Sequence, residues 1–204
     1  MALDPLLEEI RACRACAAEL KHEPRPVVRV RRETRLLICG QAPGRKVHES
    51  GMPFDDASGD RLRDWMGVDR TTFYGHPAIG VAAMAFCFPG TNPKGGDYPP
   101  PARCAELWRP RLLAALPGVE LTLLVGGYAQ RWALKERAKA SMTETVRAWR
   151  EYGQAYLPMP HPSWRNTGWL KRNPWFEREV VPHLRERVAA FLVAPALEET
   201  DAGR

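Results

Sequence analysis

The hydrophobic positions of the chain fall into short apolar runs, closed by glycine or proline and separated by stretches with helical spacing. Such runs are typical of buried strands, and four are predicted: 36–39, 79–86, 119–125 and 155–159. Helices are predicted over 4–20, 58–66 (with Ser58 as its cap), 104–116, from 128 onward, and over 143–150 and 174–192. The segment 88–101 is rich in proline and glycine and is predicted to be a loop.

Strands that alternate with helices predict an α/β fold of three layers. We expect a mostly parallel four-stranded sheet with helices on both faces, formed by one domain over residues 1–192. Residues 193–204 are predicted to be a disordered tail. In such folds ligands bind at the carboxyl ends of the strands, and the loops 40–44 and 161–166 follow two of the predicted strands.

The composition narrows the partners and the compartment. A formal charge of +6 and a pI of about 9.3 favour a polyanionic partner. The acidic start and the lack of a long apolar run indicate no secretory signal and no membrane span, so a cytoplasmic protein is predicted. No pattern indicates an oligomer, so a monomer is expected. Cysteines stay reduced in the cytoplasm, and clustered cysteines there suggest a metal or cluster rather than disulfides.

Two motifs and a set of cysteines carry a family resemblance. The first motif is Gly40-Gln41-Ala42-Pro43-Gly44, followed by Gly51-Met52-Pro53-Phe54; the second is His161-Pro162-Ser163. They resemble the two active-site motifs of the uracil-DNA glycosylase superfamily, in the branch that carries an iron–sulfur cluster (family 4). The likeness extends from about Cys13 to the last predicted helix.

The cysteine layout resembles the cluster-binding pattern of the same branch. Cys13 and Cys16 form a CxxC pair on the predicted first helix, and Cys87 and Cys104 flank the proline- and glycine-rich loop. Four thiolates suit a [4Fe–4S] cluster, and they would also suit zinc. Cys39 lies inside a predicted strand and is expected to be a buried apolar residue.

The resemblance implies a monofunctional DNA glycosylase that flips uracil, or another deaminated base, out of DNA and hydrolyses its N-glycosidic bond to begin base excision repair. Phe54 would stack on the flipped base, and His161 would donate a hydrogen bond to the departing base. Gln41, Ala42 and Gly44 would line the pocket, largely through their backbone.

The sequence departs from the branch at the positions that act on the base and the water. Gln41 stands where the branch has Glu, and Val47 replaces a further acidic residue. Ala83 replaces an Asn that reads the uracil edge, so hypoxanthine or xanthine is an alternative substrate. Water activation is assigned to Asp55 or Asp56, in preference to the nearby His48 and Glu49.

Basic and aromatic residues near the second motif are expected to hold DNA. Ser163, Trp164 and Arg165 follow His161 on the loop that enters the minor groove in the superfamily, and Lys171 and Arg172 can meet phosphates. Arg45 and Lys46 add charge to the first motif loop. The alternative function is a nucleic-acid-binding protein on the same fold that has weak or no catalysis, which the residues at 41 and 83 would favour.

Overall fold

Four short strands form one parallel sheet in the order β2-β1-β3-β4. The computed structural model describes residues 2–193. The strands are β1 Leu36–Cys39, β2 Ile79–Val81, β3 Leu121–Val125 and β4 Tyr156–Met159. All residues of β1, β2 and β3 are buried, as expected when helices cover both faces of a parallel sheet.

Nine α-helices surround the sheet within the described residues. They are α1 Leu3–Arg11, α2 Arg45–Ser50, α3 Ala57–Met66, α4 Arg70–Gly75, α5 Ala102–Ala114, α6 Gly127–Leu134, α7 Met142–Arg147, α8 Thr167–Arg172 and α9 Val181–Val193. A single π-helical turn, Phe176–Val180, leads into α9. Among these helices, none is long and apolar enough to cross a membrane.

The two faces of the sheet bury different hydrophobic clusters. Leu36 and Ile38 pack in a cluster with residues of α3 and α9, such as Leu62 and Leu184. Leu37, whose side chain points the opposite way along the strand, packs with residues of α1 and α5. The chain therefore has the three-layer α/β fold that the sequence predicted.

The first helix is shorter than predicted, and this moves the CxxC pair. The apolar face of α1 ends at Ile10, and the helix ends at Arg11. Beyond it the chain folds into turns, in which the backbone N–H groups of Glu19 and Leu20 both donate to the carbonyl of Cys16. Cys13 and Cys16 therefore lie after the helix and not on it.

Two further predictions are corrected at the loop that precedes α3 and at the end of β2. Asp56, and not Ser58, caps α3: its carboxylate accepts a hydrogen bond from the Gly59 N–H at 2.9 Å. β2 ends at Val81, because the residues after it bond to the first motif loop. Met84 N–H donates to Gly40 O, at 2.9 Å, instead of continuing the ladder.

Most of the secondary-structure elements that the hydrophobic pattern did not predict are short helices. Helices α2, α4 and α8 have six residues each, which is too few for a helical periodicity to show. The predicted last helix is confirmed, and α9 ends at Val193. The disorder predicted for the rest of the tail lies outside the described residues.

Candidate active site

A cleft of about 670 Å³ opens at the carboxyl ends of the strands, where four loops meet. We call this cavity the cleft. It brings together most residues that the sequence assigned to catalysis, base binding and DNA binding: Gln41, Ala42, Gly44, Phe54, Asp56, Ala83, His161, Ser163, Trp164 and Arg165. Its size suits a small molecule or a single nucleotide.

His161 is held in one orientation and one protonation state. Its Nδ1 accepts a hydrogen bond from the backbone N–H of Ser163 at 3.2 Å. Burial lowers the pKa of His161, while the charge of Asp56 raises it by a smaller amount, so the ring is neutral at pH 7. Because Nδ1 is an acceptor, the proton of the neutral ring sits on Nε2, which becomes a hydrogen-bond donor for a ligand. Asn166 Nδ2 donates to His161 O at 2.7 Å and fixes the loop.

Phe54 lies over the first motif loop in an unusual backbone conformation. Its φ is +56°, in the left-handed region that non-glycine residues rarely adopt. The ring contacts Gly40 so closely that a Cβ there would lie 3.3 Å from Phe54 Cζ. Arg63 Nη1 donates to Phe54 O at 3.2 Å and stabilises this conformation. Strain of this kind is often found at ligand sites.

Gly59 has a role in this arrangement that the sequence analysis missed. A Cβ at Gly59 would lie 1.7 Å from Phe54 O, so only glycine allows the first turn of α3 to pack against the Phe54 backbone. Gly59 stands one turn after the Pro53-Phe54 pair, at the start of a helix interior where glycine is unfavourable. That unfavourable placement was the available signal.

The two predicted water-activating carboxylates have different surroundings. Asp55 Oδ1 forms an ion pair with Arg70 Nη1 at 2.8 Å, and a hydrogen bond from Arg70 lowers the pKa of Asp55. Asp55 lies beside the cleft and is not one of its lining residues. Asp56 lines the cleft, with Oδ1 engaged in the cap of α3. His48, one of the two less favoured candidates, packs against His22 and Phe88.

Asp97 also lines the cleft, and the sequence analysis missed it. It belongs to the loop between Cys87 and Cys104, which was treated only as a connection. Partial burial raises the pKa of Asp97, the charges of Arg165 and Arg45 lower it, and Asp56 raises it. An acidic residue after two consecutive glycines was the signal that could have drawn attention to it.

The floor of the cleft is held from below by a buried arginine. Arg109, only 2% exposed, donates from Nη1 to Ala82 O at 3.0 Å and to Ala83 O at 3.2 Å. Its guanidinium stacks on the Trp132 ring, 4.6 Å from the centroid. Gln41 Nε2 donates to Tyr98 O at 3.2 Å and ties the first motif loop to the segment that carries Asp97.

The second motif loop presents an exposed aromatic residue at the mouth of the cleft. Trp164 is 72% exposed, and the Arg165 guanidinium lies 5.4 Å from its ring centroid. Arg61 Nη1 donates to Ser163 O at 3.1 Å and supports the loop from α3. Lys171 and Arg172 are exposed in the last turn of α8, outside the cleft.

The four predicted metal-binding cysteines line one small cavity on the other side of the sheet from α3 and α9. We call it the cysteine cavity; it measures about 20 Å³, its remaining walls are mainly apolar, and Cys13, Cys16, Cys87 and Cys104 all line it. Burial raises the pKa of Cys87 to about 11 and that of Cys104 to about 12. Within residues 2–193, no set of three or more His, Cys, Asp or Glu side chains has the arrangement of a metal site.

The four cysteines are nevertheless of the residue type that a thiolate-ligated group requires, and all of them line the same cavity. The backbone N–H of Phe86 donates to Cys104 Sγ at 3.4 Å. Hydrogen bonds of this kind to ligand sulfurs are a usual feature of iron–sulfur sites. Cys39 is separate: it is fully buried in β1, with Sγ 3.7 Å from Met84 Sδ, as the sequence predicted for an apolar residue.

The fold and the cleft define an α/β protein with a nucleotide-sized site at the carboxyl edge of a parallel sheet. The family model of the uracil DNA glycosylase superfamily matches residues 28–185, so the chain belongs to that superfamily. It is also similar to a solution NMR structure from Methanosarcina acetivorans, a protein described only provisionally as a uracil DNA glycosylase. The sequence identity is 16% and the TM-score 0.46, with 78% of this chain and 93% of that one covered.

Proposed function

We propose that this protein is a monofunctional DNA glycosylase that hydrolyses the N-glycosidic bond of uracil or another deaminated base. The observation that carries the proposal is the state of His161. Its ring is neutral, Nδ1 is occupied by the Ser163 N–H, and Nε2–H remains to donate within the cleft. A fixed donor of this kind stabilises the charge that develops on a base as it leaves.

Other residues of the cleft support further parts of base release. Phe54 supplies an aromatic face on which a flipped base can stack. Asp56 supplies a carboxylate that is fixed by its cap to α3, and a fixed negative charge stabilises the cation that forms on the sugar. The exposed Trp164 with Arg165 suits insertion into the minor groove.

The base preference follows from the groups that the floor of the cleft offers. Ala83 has no side-chain amide, and its carbonyl is engaged by Arg109. A bidentate amide contributes about 1–3 kcal/mol of discrimination, so its loss broadens the choice of base. We propose uracil as the principal substrate, with hypoxanthine and xanthine as further ones.

We further propose that the cysteine cavity holds a [4Fe–4S] cluster, with zinc as the alternative. Cys13, Cys16, Cys87 and Cys104 would be its ligands. Such a group supplies a structural crosslink, since it joins the turn after α1 to both ends of the loop between Cys87 and Cys104. The base-release reaction itself takes place in the cleft.

A DNA-binding protein without catalysis is the second candidate function. It is favoured by Gln41, whose amide cannot accept a proton as a base and is tied to Tyr98 O. This function needs the cleft and the Trp164 loop but not the donor on His161. The two functions therefore differ in what a change at His161 does.

The test is a base-release assay on DNA that carries uracil, hypoxanthine or xanthine, single- and double-stranded. We expect release by the wild type and a rate about 100–1000-fold lower for His161→Ala, the usual contribution of one such donor. His76→Ala is a matched control, because His76 Nδ1 also accepts a backbone N–H two residues on, from Ala78, at 3.3 Å. It should leave the rate unchanged.

The outcomes separate the two functions. If the wild type releases a base and His161→Ala releases it at the same rate, the proposed role of His161 is contradicted. A wild type that binds these DNAs and releases none of the bases would replace the glycosylase with the DNA-binding function.

A further inference from the structure

We propose that Asp97 accepts the proton of the attacking water during base release. This inference rests on the proposed glycosylase function. It assigns the group that activates water, at a place where Gln41 and Val47 of the first motif loop offer no carboxylate. Three observations carry it: a tight turn that places Asp97 in the cleft wall, its contact with the first motif loop, and the absence of a hydrogen bond or ion pair at its carboxylate within residues 2–193.

Asp97 ends a tight turn with a defined backbone. Thr91 and Asp97 form an antiparallel bridge, and Asn92 N–H donates to Gly96 O at 2.7 Å. Gly95 and Gly96 have φ values of +95° and +85°, which only glycine adopts without strain. The turn fixes the direction in which the Asp97 side chain leaves the loop.

That direction is toward the first motif loop. A Cβ on Gly44 would lie 3.6 Å from Asp97 Oδ2, so the carboxylate is in contact with Gly44 along the wall of the cleft. The next residue, Tyr98, accepts the hydrogen bond from Gln41 and holds the two segments together. Asp97 thereby occupies the side of the cleft where the loop's own Gln41 and Val47 offer no carboxylate.

Asp97 is the cleft carboxylate with both oxygens available. Asp55 is paired with Arg70, and Asp56 uses Oδ1 to cap α3. Within residues 2–193, no group donates a hydrogen bond to the Asp97 carboxylate, and the charges of Arg165 and Arg45 act on it without forming an ion pair. Partial burial raises its pKa above the ordinary 3.8, which makes it a stronger base than an exposed aspartate.

The cleft then divides two tasks between two carboxylates, as glycoside hydrolases do: Asp56 stabilises the cation on the sugar, and Asp97 accepts the water proton. The C1′–N bond of the flipped nucleotide breaks, and its electron pair stays on the base, where Nε2–H of His161 stabilises the charge. The water oxygen bonds to C1′, and the water proton passes to Asp97. Asp97 later returns this proton to solvent, and the free base takes up a proton to become neutral.

The experiment compares Asp97→Asn with Asp64→Asn in single-turnover base release and in binding to DNA with an uncleavable nucleotide. Asp64 is exposed on α3 and does not line the cleft. Asp64→Asn is therefore the matched control, because it makes the same change in charge outside the site. We expect Asp97→Asn to slow release by about 10²–10⁴-fold, the usual contribution of a general base. Its affinity for DNA should be equal or higher, because the substitution removes a negative charge from the cleft, and DNA is a polyanion. Asp64→Asn should keep the wild-type rate.

The pH profile provides a second readout. A general base must be ionised to act, so the rate of base release falls at acid pH as the base is protonated. The raised pKa of Asp97 places this acid limb of the pH profile above the range of an ordinary aspartate. The wild-type rate should therefore fall with acid through that pKa, and the limb should be absent in Asp97→Asn.

Three results would overturn the proposal. An Asp97→Asn rate equal to that of the wild type would remove Asp97 from the chemistry and leave the glycosylase intact. A joint loss of rate and DNA affinity would show that Asp97 only orients Arg45 and Arg165. A wild type inactive on every base would remove the proposed function and this inference with it.

Discussion

The cleft and the cysteine cavity are built for opposite demands. The cleft measures about 670 Å³, is open, and is formed by loops with histidine, carboxylate and amide side chains. The cysteine cavity measures about 20 Å³ and is lined mainly by apolar groups and sulfur. A site that must admit and release a nucleotide needs space and polar groups, whereas a site that holds a compact group permanently needs neither. Under the proposed function, the cleft carries out the chemistry and the cysteine cavity holds a structural crosslink.

One segment belongs to both regions. The loop between Cys87 and Cys104 leaves the cysteine cavity, forms the wall of the cleft that carries Asp97, and returns. Arg103, next to Cys104, donates to Ala15 O at 3.0 Å and strengthens the same attachment. Both ends of this loop therefore line the cysteine cavity while its middle lines the cleft, so a group held by the four cysteines would link the two regions mechanically.

The largest expected effect comes from removing a cysteine ligand. Cys16→Ala should abolish the brown colour of protein purified without oxygen and lower the unfolding temperature, because three thiolates cannot complete the set of four. Cys39→Ala is the matched control: Cys39 is fully buried but lies in β1, outside the cysteine cavity, so the colour should remain. Visible absorbance and thermal unfolding measure both.

A result against the cluster is equally clear. A colourless wild type, purified without oxygen and containing one zinc per chain, would replace the cluster with zinc. Loss of colour in Cys39→Ala as well would show that the four cysteines are not a separate set.

A smaller effect is expected at the stacking face of the cleft. Phe54→Ala should lower the affinity for DNA with an uncleavable damaged nucleotide by about 10–100-fold, because stacking on an aromatic ring contributes about 1–3 kcal/mol per base. Phe54→Leu keeps an apolar face, so its affinity for this DNA should lie between those of the wild type and Phe54→Ala. The visible absorbance should not change in either variant, which sharpens the separation of the two regions. Unchanged affinity in Phe54→Ala would remove the stacking role.

The smallest effect is expected at the mouth of the cleft. Trp164→Ala should weaken DNA binding by roughly fivefold, about 1 kcal/mol, with no change in unfolding temperature because the ring is 72% exposed. Leu107→Ala is the counterpart at the cysteine cavity, where Leu107 is 41% exposed. It should leave DNA affinity unchanged. If Trp164→Ala and Leu107→Ala change the DNA affinity equally, the proposal that DNA binds at the cleft is contradicted.

Local patterns predicted the sheet well and the short elements poorly. The run Leu36–Cys39 forms β1 with the predicted bounds, because four consecutive apolar residues before Gly40 leave few alternatives. The run 79–86 was read as one strand but forms a three-residue β2. Its second half bonds to the first motif loop, a partner about 40 residues away that no local pattern reveals.

The candidate site shows the same limit. The residues of the two motifs meet in the cleft as predicted, since both motifs follow strands of one parallel sheet. Asp97 and Arg109 belong to no motif: Asp97 reaches the cleft only through the fold of its loop, and Arg109 supports the cleft floor only through the packing of α5. Asp55 and Asp56 are adjacent in sequence, yet one pairs with Arg70 and the other lines the cleft.

The sequence by itself determined the α/β architecture, the two motif loops and the four cysteines, because each depends on residue type and spacing along a short segment. Only the tertiary structure decided the protonation state of His161, the availability of each carboxylate and the convergence of the cysteines on one cavity. These properties depend on burial and on partners far away in the chain. Burial and distant contacts exist only once the chain has folded.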